Sequence, residues 1–269
     1  MLKPPVLSTE NIKAFERDGF CILKQGFSAQ DVDCINDWIE ELTSLPEESG
    51  KHWVYHEKSL KGDGRTLINR IENIAPYHEG FAELSNILKD PVSQLLGEPC
   101  ILFKEKINFK MPGGDGFKPH QDSQAGWDAY ANFFVNALVS IDDATIENGC
   151  IEICGGHHKQ GLYKSWEPLS QESLAKMEFI PYPTSPGDIV FFDCFTPHQS
   201  APNFTNTTRR IYFTTYNRAS DGDHMAQYYL DKHKNFPPGF KTLFASNKNF
   251  LSPSKISISL FDTNFPNPE

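Results

Sequence analysis

The spacing of hydrophobic residues changes character near residue 100 of this chain. Before that point, the apolar positions of segment 28–45 recur every three or four residues, the pattern of a helix with one buried face. Two further segments, 8–19 and 84–97, share this pattern, and each ends on a glycine that can adopt a left-handed conformation. We therefore expect a mainly helical part over about residues 1–98, interrupted by one strand over 21–27.

After residue 100 the chain consists of short apolar runs separated by turn residues. Their length and their content of β-branched and aromatic residues are typical of strands, and many such strands in succession indicate a sandwich or barrel. We predict one domain over residues 1–269, mainly β with flanking helices, with a core over about 99–220 and a C-terminal extension over 221–269. The runs are "CILFKEKINFK", "YANFFVNALVSIDD", "GCIEICGG", "GDIVFFDCFTPH" and "RRIYFTTYNRAS".

The first of these runs alternates between polar and apolar residues, which predicts a strand with two different faces. A strand face that carries several lysines is usually half exposed to solvent. The alternative is that the lysine face lines the interior of a barrel and meets an anionic ligand. The predicted faces are Lys104, Lys106, Asn108 and Lys110 on one side, and Phe103, Glu105, Ile107 and Phe109 on the other.

Composition and charge narrow the classes of function. The net charge of -10 and the pI near 5.4 provide no basic stripe for a nucleic acid. No apolar stretch reaches the ~18 residues of a membrane span, and the first residues lack the apolar region of a signal peptide. The six cysteines form no CxxC pair and are typical of a reducing compartment. We expect a cytoplasmic protein with a small-molecule partner, and the sequence makes no prediction of its oligomeric state.

Candidate chemistry begins at His120 and Asp122 in "GFKPHQDSQAGWD". Residues two positions apart on an extended segment point to the same side, so both side chains can reach one metal ion. Non-haem iron(II) enzymes that activate dioxygen hold the metal with two histidines and one carboxylate. A second histidine must then come from another strand. The candidates are His157, His158, His198, His224 and His233.

His198 is the preferred second histidine because it follows the apolar run "SPGDIVFFD", a rigid platform. Arg209 comes eleven residues later and is followed by Arg210. If the cosubstrate is 2-oxoglutarate, its far carboxylate needs a fixed cation, which a guanidinium supplies through two parallel hydrogen bonds. We assign this role to Arg209 and expect Arg210 on the opposite face of the same strand.

Three segments of the chain resemble the phytanoyl-CoA dioxygenase family of iron(II)- and 2-oxoglutarate-dependent oxygenases. They are "KEKINFKMPGGDGFKPHQD", "IDDATIENGCIEICGGHHKQG" and "PGDIVFFDCFTPHQSAPNFTNTTRR", and only "CGGHHKQG" departs from the family's usual "PGSH". The resemblance implies a double-stranded β-helix, a jelly-roll relative of the cupins, with helices packed outside. It also implies Fe(II), 2-oxoglutarate and dioxygen. The implied iron ligands are His120, Asp122 and His198, and the implied cosubstrate residues are Arg209, Ser200, Lys106 and Asn108.

The resemblance leaves several primary substrates open, since members hydroxylate acyl-CoA thioesters, amino acids and small polar metabolites. The stretch "KINFK...HQDSQAGWD" is most similar to bacterial members that act on small zwitterions. Our first hypothesis is hydroxylation of 2-aminoethylphosphonate or an N-methylated relative, with basic residues on the phosphonate and Trp127 or a tyrosine facing the ammonium. The residues expected to contact the substrate are Gln124, Trp127, Asn217 and Arg218.

Other functions remain as alternatives. The substrate could be an acyl-CoA or an amino acid, or the protein could be a non-catalytic jelly-roll that only binds a ligand. A halogenating relative would need a small residue in place of Asp122. A zinc hydrolase would not need Arg209, and the HExxH motif is absent.

Overall fold

Eleven strands and six α-helices form in residues 2–47 and 51–238, the parts of the chain described by a computed structural model. The helices are α1 (Thr9–Asp18), α2 (Ala29–Ser44), α3 (Glu79–Ile87), α4 (Lys89–Leu96), α5 (Gln171–Leu174) and α6 (Met225–Asn235). The strands are β1 (Phe20–Leu23), β2 (Trp53–Lys58), β3 (Thr66–Glu72), β4 (Cys100–Lys110), β5 (Phe117–His120), β6 (Phe134–Ser140), β7 (Ile151–Ile153), β8 (Ile180–Tyr182), β9 (Ile189–Asp193), β10 (His198–Ser200) and β11 (Arg209–Arg218).

The strands form two antiparallel sheets. The larger sheet has the order β1-β9-β6-β11-β4-β3-β2, and the smaller has the order β5-β10-β7-β8. Apolar residues of both sheets meet in one buried cluster, where Ile151 and Ile153 of β7 pack with Phe192 of β9 and Phe213 of β11. The predicted mainly β, jelly-roll fold is confirmed.

Helices cover the other face of the larger sheet. Ile35 and Ile39 of α2 join Phe81 of α3 in a buried cluster with Ile107 of β4 and Tyr212 of β11. None of the helices in the described parts of the chain is long and apolar enough to cross a membrane.

The predicted helix ends agree with the structure. Ser8 and Ser28 cap α1 and α2 by accepting a hydrogen bond from the backbone three residues later, and each belongs to a reciprocal capping box. Gly19 and Gly97 end α1 and α4 in the left-handed conformation, with φ of 83° and 75°. These features depend only on neighbours in sequence, so the pattern was sufficient to predict them.

The N-terminal part differs from the prediction in two ways. The segment 84–97 is not one helix, because α3 ends and α4 begins at Leu88. Pro91 then lies in the first turn of α4, where its missing N–H leaves no helical hydrogen bond unmade. The part is also less helical than predicted, since β2 and β3 extend the larger sheet beyond β4.

The sequence predicted strict alternation of side chains along strand β4, but the structure departs from this pattern at one position. Its register with β11 shifts between Thr215 and Tyr216, and Phe103 is left without a partner opposite it, which makes a β-bulge. Phe103 packs against Trp127, with ring centroids 5.7 Å apart, and Lys104 lies over the same ring. The bulge therefore brings two consecutive residues to one aromatic side chain.

The lysine face of β4 lines the interior. Only 8% of Lys104 and 2% of Lys110 is exposed, and Lys106 is half-buried. The expectation of a half-exposed face was wrong, and the alternative of an interior face is confirmed. Of the C-terminal extension, α6 packs against β4, and residues 239–269 lie outside the described residues.

Candidate active site

Two paired strands bring the three predicted metal ligands together. In the register of β5 with β10, His120 is opposite His198, and their ring centroids are 4.3 Å apart. The carboxylate oxygens of Asp122 lie 3.7 Å from Nε2 of His120 and 4.0 Å from Nε2 of His198. One possible ligand atom from each residue lies within 4.8 Å of the others, which fits a single metal ion.

Backbone carbonyls orient both imidazoles. Nδ1 of His120 lies 2.7 Å from the carbonyl oxygen of Lys118, and Nδ1 of His198 lies 3.0 Å from that of Thr196. Because a carbonyl only accepts, each Nδ1 carries the proton, and Nε2 offers its lone pair to the metal. Burial, with the neighbouring His120, lowers the pKa of His198 to about 4, so this imidazole is neutral at physiological pH.

A buried polar chain orients the carboxylate. Nδ2 of Asn136 donates to Oδ2 of Asp122 at 3.0 Å, and the hydroxyl of Thr215 donates to Oδ1 of Asn136 at 2.7 Å. Burial by itself would raise the pKa of Asp122, but the nearby His120 and His198 outweigh it and hold the pKa below its ordinary value. Asn136 and Thr215 were not predicted from the sequence, although each is a polar residue within an apolar run.

Arg209 is a buried cation of the larger sheet. It begins β11 opposite Lys110 of β4, and only 4% of it is exposed. Its Nε is buried and has no hydrogen-bond partner among the residues that the structure describes. Burial lowers the pKa of Arg209 to about 10, so the guanidinium remains charged at neutral pH. A buried cation with an unused N–H group is suited to an anionic ligand.

Lys110 holds Ser200 beside this arginine. Its ammonium donates to the hydroxyl oxygen of Ser200 at 2.7 Å and to the carbonyl oxygens of Ala201 and Gly149 at 2.5 and 3.3 Å. A Cβ at Gly149 would lie 2.1 Å from the carbonyl oxygen of Ala201, so only glycine permits this close approach. Lys110 was missed as a candidate, although it shares a strand face with Lys106.

The second arginine is engaged elsewhere. Arg210 forms a two-point ion pair with Asp142, with Nε–Oδ2 and Nη2–Oδ1 distances of 2.8 and 2.6 Å. Its position on the opposite face of β11 from Arg209 follows from the alternation of side chains along a strand.

Lys106 and Asn108 lie between the two ends of the lysine face. The ammonium of Lys106 is 4.9 Å from the ring centroid of Phe213, and burial lowers the pKa of Lys106 to about 8. Oδ1 of Asn108 is buried without a hydrogen-bond partner among the described residues. Both side chains therefore remain available to a ligand in the interior.

The residues predicted to contact the substrate have different surroundings. Gln124 is fully buried, and its amide donates to the carbonyl oxygens of Lys164 and Glu167, which ties the 161–167 loop to the site. Nδ2 of Asn217 donates to the carbonyl oxygens of Arg218 and Gly222. The guanidinium of Arg218 lies 5.2 Å from the ring centroid of Phe133. The amide of Gln124 is thus used within the chain, whereas Oδ1 of Asn217 is buried without a hydrogen-bond partner among the described residues.

Trp127 faces a cation, but that cation belongs to the chain. The ammonium of Lys104 lies 4.2 Å from the ring centroid of Trp127, where the sequence analysis had expected the ammonium of a substrate. Nε1 of Trp127 is buried and has no hydrogen-bond partner in the described part of the chain.

A buried acid on β3 gathers further cations. Oε1 of Glu72 accepts a hydrogen bond from Nε of Arg70 at 2.5 Å, and Oε2 accepts one from Lys232 of α6. Glu72 is also opposite Lys106 in the register of β3 with β4. Burial opposes its ionisation, but the attraction of Lys232 and Arg70 outweighs burial and holds the pKa of Glu72 below its ordinary value.

The four other candidate histidines join no second metal cluster. Within residues 2–47 and 51–238, His120, Asp122 and His198 form the only group of three histidine, cysteine or acidic side chains with ligand spacing. The donor set fits iron(II), and the buried cations fit an anionic cosubstrate.

Sequence comparisons agree with this arrangement. The phytanoyl-CoA dioxygenase (PhyH) family model matches residues 15–211. The chain is 37% identical over 226 residues to the 2-aminoethylphosphonate dioxygenase of uncultured bacterium HF130_AEPn_1, covering 82% of this chain and 86% of that protein. It is 32% identical over 234 residues to the methylphosphonate hydroxylase of Gimesia maris, covering 86% and 88%.

Solved structures share the fold. The crystal structure of EctD from S. alaskensis with 2-oxoglutarate and 5-hydroxyectoine has a TM-score of 0.69 at 23% identity, covering 82% of this chain and 85% of that chain. The alpha-ketoglutarate-dependent carbocyclase SnoK from nogalamycin biosynthesis has a TM-score of 0.66 at 18% identity, with coverages of 79% and 85%. With the family match over most of its length, the chain belongs to the phytanoyl-CoA dioxygenase family and is an iron(II)- and 2-oxoglutarate-dependent dioxygenase.

Proposed function

We propose that this enzyme hydroxylates an unactivated carbon of a small phosphonate, with 2-aminoethylphosphonate or an N-methylated relative as the first candidate. It consumes 2-oxoglutarate and dioxygen and releases succinate and CO2. The two relatives described above act, by their names, on 2-aminoethylphosphonate and methylphosphonate. The family in general acts on small molecules, which agrees with the interior position of the site.

The observation that carries the proposal is a concentration of positive charge in an otherwise acidic protein. The whole chain has a net charge of -10, yet four cationic side chains influence one another around Glu72 and Asp122. Asp122 is needed by the metal, so the remaining charge favours an anionic substrate. The four are Arg70, Lys104, Lys106 and Lys232.

The metal would be held by His120, Asp122 and His198. When bound, iron(II) supplies the centre at which dioxygen is activated for C–H hydroxylation. The chain's own contribution is to keep both Nε2 atoms unprotonated and to keep the carboxylate ionised. The carbonyl oxygens of Lys118 and Thr196 accept a hydrogen bond from Nδ1 of each imidazole, which leaves Nε2 without a proton. Asn136 orients the carboxylate.

The cosubstrate would be bound through its far carboxylate by Arg209 and Ser200. The hydroxyl oxygen of Ser200 already accepts from Lys110, so its own proton can be donated to the carboxylate. Lys106 and Asn108 would lie beside the keto-acid end. Because Lys110 is not exposed and makes three hydrogen bonds, it would fix this arrangement before the cosubstrate arrives.

The direct test is a substrate panel with the Fe(II)-loaded enzyme, prepared without oxygen and then supplied with 2-oxoglutarate and labelled dioxygen. We expect succinate and a hydroxylated product in about equal amounts with 2-aminoethylphosphonate, and one labelled oxygen in the product, reduced by any exchange with water. Taurine and β-alanine, which replace the phosphonate by a sulfonate or a carboxylate, are matched controls.

Three results would contradict the proposal. Preferred turnover of an acyl-CoA or an amino acid would assign another substrate. Absence of succinate with every compound would indicate a binding protein. A product oxygen derived wholly from water would indicate a hydrolase.

A further inference from the structure

We infer that Lys104, together with the indole N–H of Trp127, binds the oxyanion head of the substrate. The inference rests on the proposed function and deepens it by naming the residues that recognise the phosphonate group. It differs from the sequence-based expectation, in which Trp127 faced the substrate's ammonium.

The ammonium of Lys104 lies against aromatic rings and not against hydrogen-bond acceptors. The residue is 8% exposed, yet it forms no hydrogen bond or ion pair with any residue that the structure describes. Its close neighbours are the faces of Trp127 and Tyr228, with ring centroids 4.2 and 5.8 Å from Nζ. A buried charge without a partner is strongly unfavourable for folding. A ligand anion would remove this cost.

Two other lysines of this region, Lys110 and Lys232, have hydrogen-bond partners, whereas the half-buried Lys106 has ring contacts only. Lys110 donates to three oxygens, and Lys232 donates to the carboxylate of Glu72. Burial, with the charges of Lys106 and Lys232, lowers the pKa of Lys104 well below its ordinary value. A bound dianion would oppose both effects, so Lys104 would be stabilised by an anionic ligand.

Trp127 provides a second unused donor at the same place. Its Nε1 is buried without a hydrogen-bond partner among the described residues. Edge contacts with Phe103 and Phe134, at centroid distances of 5.7 and 5.4 Å, hold the indole in position. An ammonium and an indole N–H both only donate, so the matching ligand group is rich in acceptors. The three oxygens of a phosphonate meet this requirement.

The proposed oxyanion site at Lys104 and Trp127 is separate from the site proposed for the cosubstrate. Lys104 and Lys110 lie six residues apart on β4, or roughly 20 Å at about 3.3 Å per residue. Arg209 is opposite Lys110, whereas Thr215 is opposite Lys104. Thr215 is also the end of the hydrogen-bonded chain that leads through Asn136 to Asp122. The two anions would therefore bind towards opposite ends of one strand, with Lys104 at the end that is linked to Asp122.

One of the two rings beside Lys104 comes from outside the region that matches the family. Tyr228 belongs to α6, whereas the family match ends at residue 211. Its ring packs on Phe103, with centroids 4.6 Å apart, and Phe103 is the bulged residue of β4. The bulge of β4 and helix α6 therefore both contribute to the surroundings of Lys104.

The test is Lys104→Met, which removes the charge and keeps most of the side-chain volume. We expect the KM for 2-aminoethylphosphonate to rise roughly 10- to 100-fold, the range of one charge-assisted hydrogen bond. The KM for 2-oxoglutarate and the succinate formed without substrate should not change. The unfolding temperature should stay constant or rise, because an unpaired buried charge has been removed. Lys58→Met, at an exposed position of β2, controls for the change in net charge.

The outcomes separate this inference from the proposed function. If the wild type hydroxylates the phosphonate and Lys104→Met has the same KM, the inference is wrong and the proposed function stands. If the wild type hydroxylates no phosphonate, calorimetric titration of methylphosphonate into the Fe(II)- and 2-oxoglutarate-loaded protein tests whether the oxyanion site exists. Binding that is lost in Lys104→Met supports the site. Equal binding in both proteins, or none in the wild type, overturns it.

Discussion

His120 and His198 face each other across two paired strands, with imidazole centroids 4.3 Å apart. The pairing register of β5 with β10 therefore fixes the distance between two of the proposed metal ligands. The register shifts immediately afterwards, between His198 and Ser200. A slip of one residue would turn an imidazole to the other face of the sheet. The metal site thus depends on this short pairing as much as on the identity of its residues.

Substitution of any one ligand should remove the metal centre. We expect His120→Ala, Asp122→Ala and His198→Ala each to reduce turnover to background, because two protein ligands cannot hold iron(II) in the required geometry. Metal content after desalting measures the cause directly. His157→Ala is the control and should keep both metal and activity. Normal turnover in any of the three ligand variants would exclude that residue from the site.

Asn136→Ala should weaken metal binding without removing a ligand. The amide of Asn136 orients the Asp122 carboxylate, and loss of such a contact commonly lowers metal affinity by about 10- to 100-fold. Titration with Fe(II) or Co(II) checks the affinity. Thr215→Val removes the donor to Asn136 and should have a smaller effect in the same direction. Wild-type affinity in Asn136→Ala would show that Asp122 needs no support.

The two adjacent arginines should respond differently to the same change. Arg209→Lys should raise the KM for 2-oxoglutarate by about tenfold or more, since an ammonium cannot reproduce the two parallel hydrogen bonds of a guanidinium. Arg210→Lys should leave this KM nearly unchanged, because Arg210 pairs with Asp142. Steady-state kinetics with varied 2-oxoglutarate distinguish them. The reverse result would mean that the cosubstrate lies on the other face of β11.

Glu72 should contribute to stability at neutral pH and lose that contribution in acid. Its pKa in the folded protein lies below the ordinary value of 4.5, so the unfolded chain takes up the proton first as the pH falls. The stabilisation is complete above about pH 4.5 and decreases below it. Glu72→Gln should cost about 3–5 kcal/mol at pH 7, because it removes the carboxylate from its buried ion pairs with Arg70 and Lys232.

Urea unfolding of wild type and Glu72→Gln between pH 3 and 7 measures the difference. We expect the two unfolding free energies to converge towards the acid end of this range. A difference that stays constant with pH would show that the glutamate acts through packing and not through its charge.

Glu105 should show the opposite dependence. Burial raises the pKa of Glu105 to about 8, so the folded protein keeps the proton while the unfolded chain loses it above about pH 4.5. Stability should therefore fall between pH 4.5 and 8. Glu105→Gln keeps an oxygen to accept from the backbone N–H groups of Ile74 and Ala75 and should be more stable than wild type at pH 8. Each unit of pKa shift corresponds to about 1.4 kcal/mol. Equal stability at pH 8 would contradict the raised pKa.

Some features of this protein were determined by the sequence alone. Ser28 and Gly19 mark helix ends because capping involves only neighbouring backbone groups. His120 and Asp122 are two residues apart on one segment, so their common direction is also a local property. His198 was chosen as the second histidine because it follows an apolar strand, and the structure places it opposite His120. For the same reason the strand-rich half and the mainly β fold could be predicted from short-range patterns.

Only the tertiary structure decided which polar groups are buried and what they meet. The pattern of β4 predicts two faces, but burial of Lys104 depends on α6 and on the bulge at Phe103, which arises from pairing with β11. The ion pair of Glu72 with Lys232 joins residues 160 positions apart. Burial and charge pairing are properties of the packed chain, because they depend on which distant segments exclude water from a side chain. No local pattern carries that information.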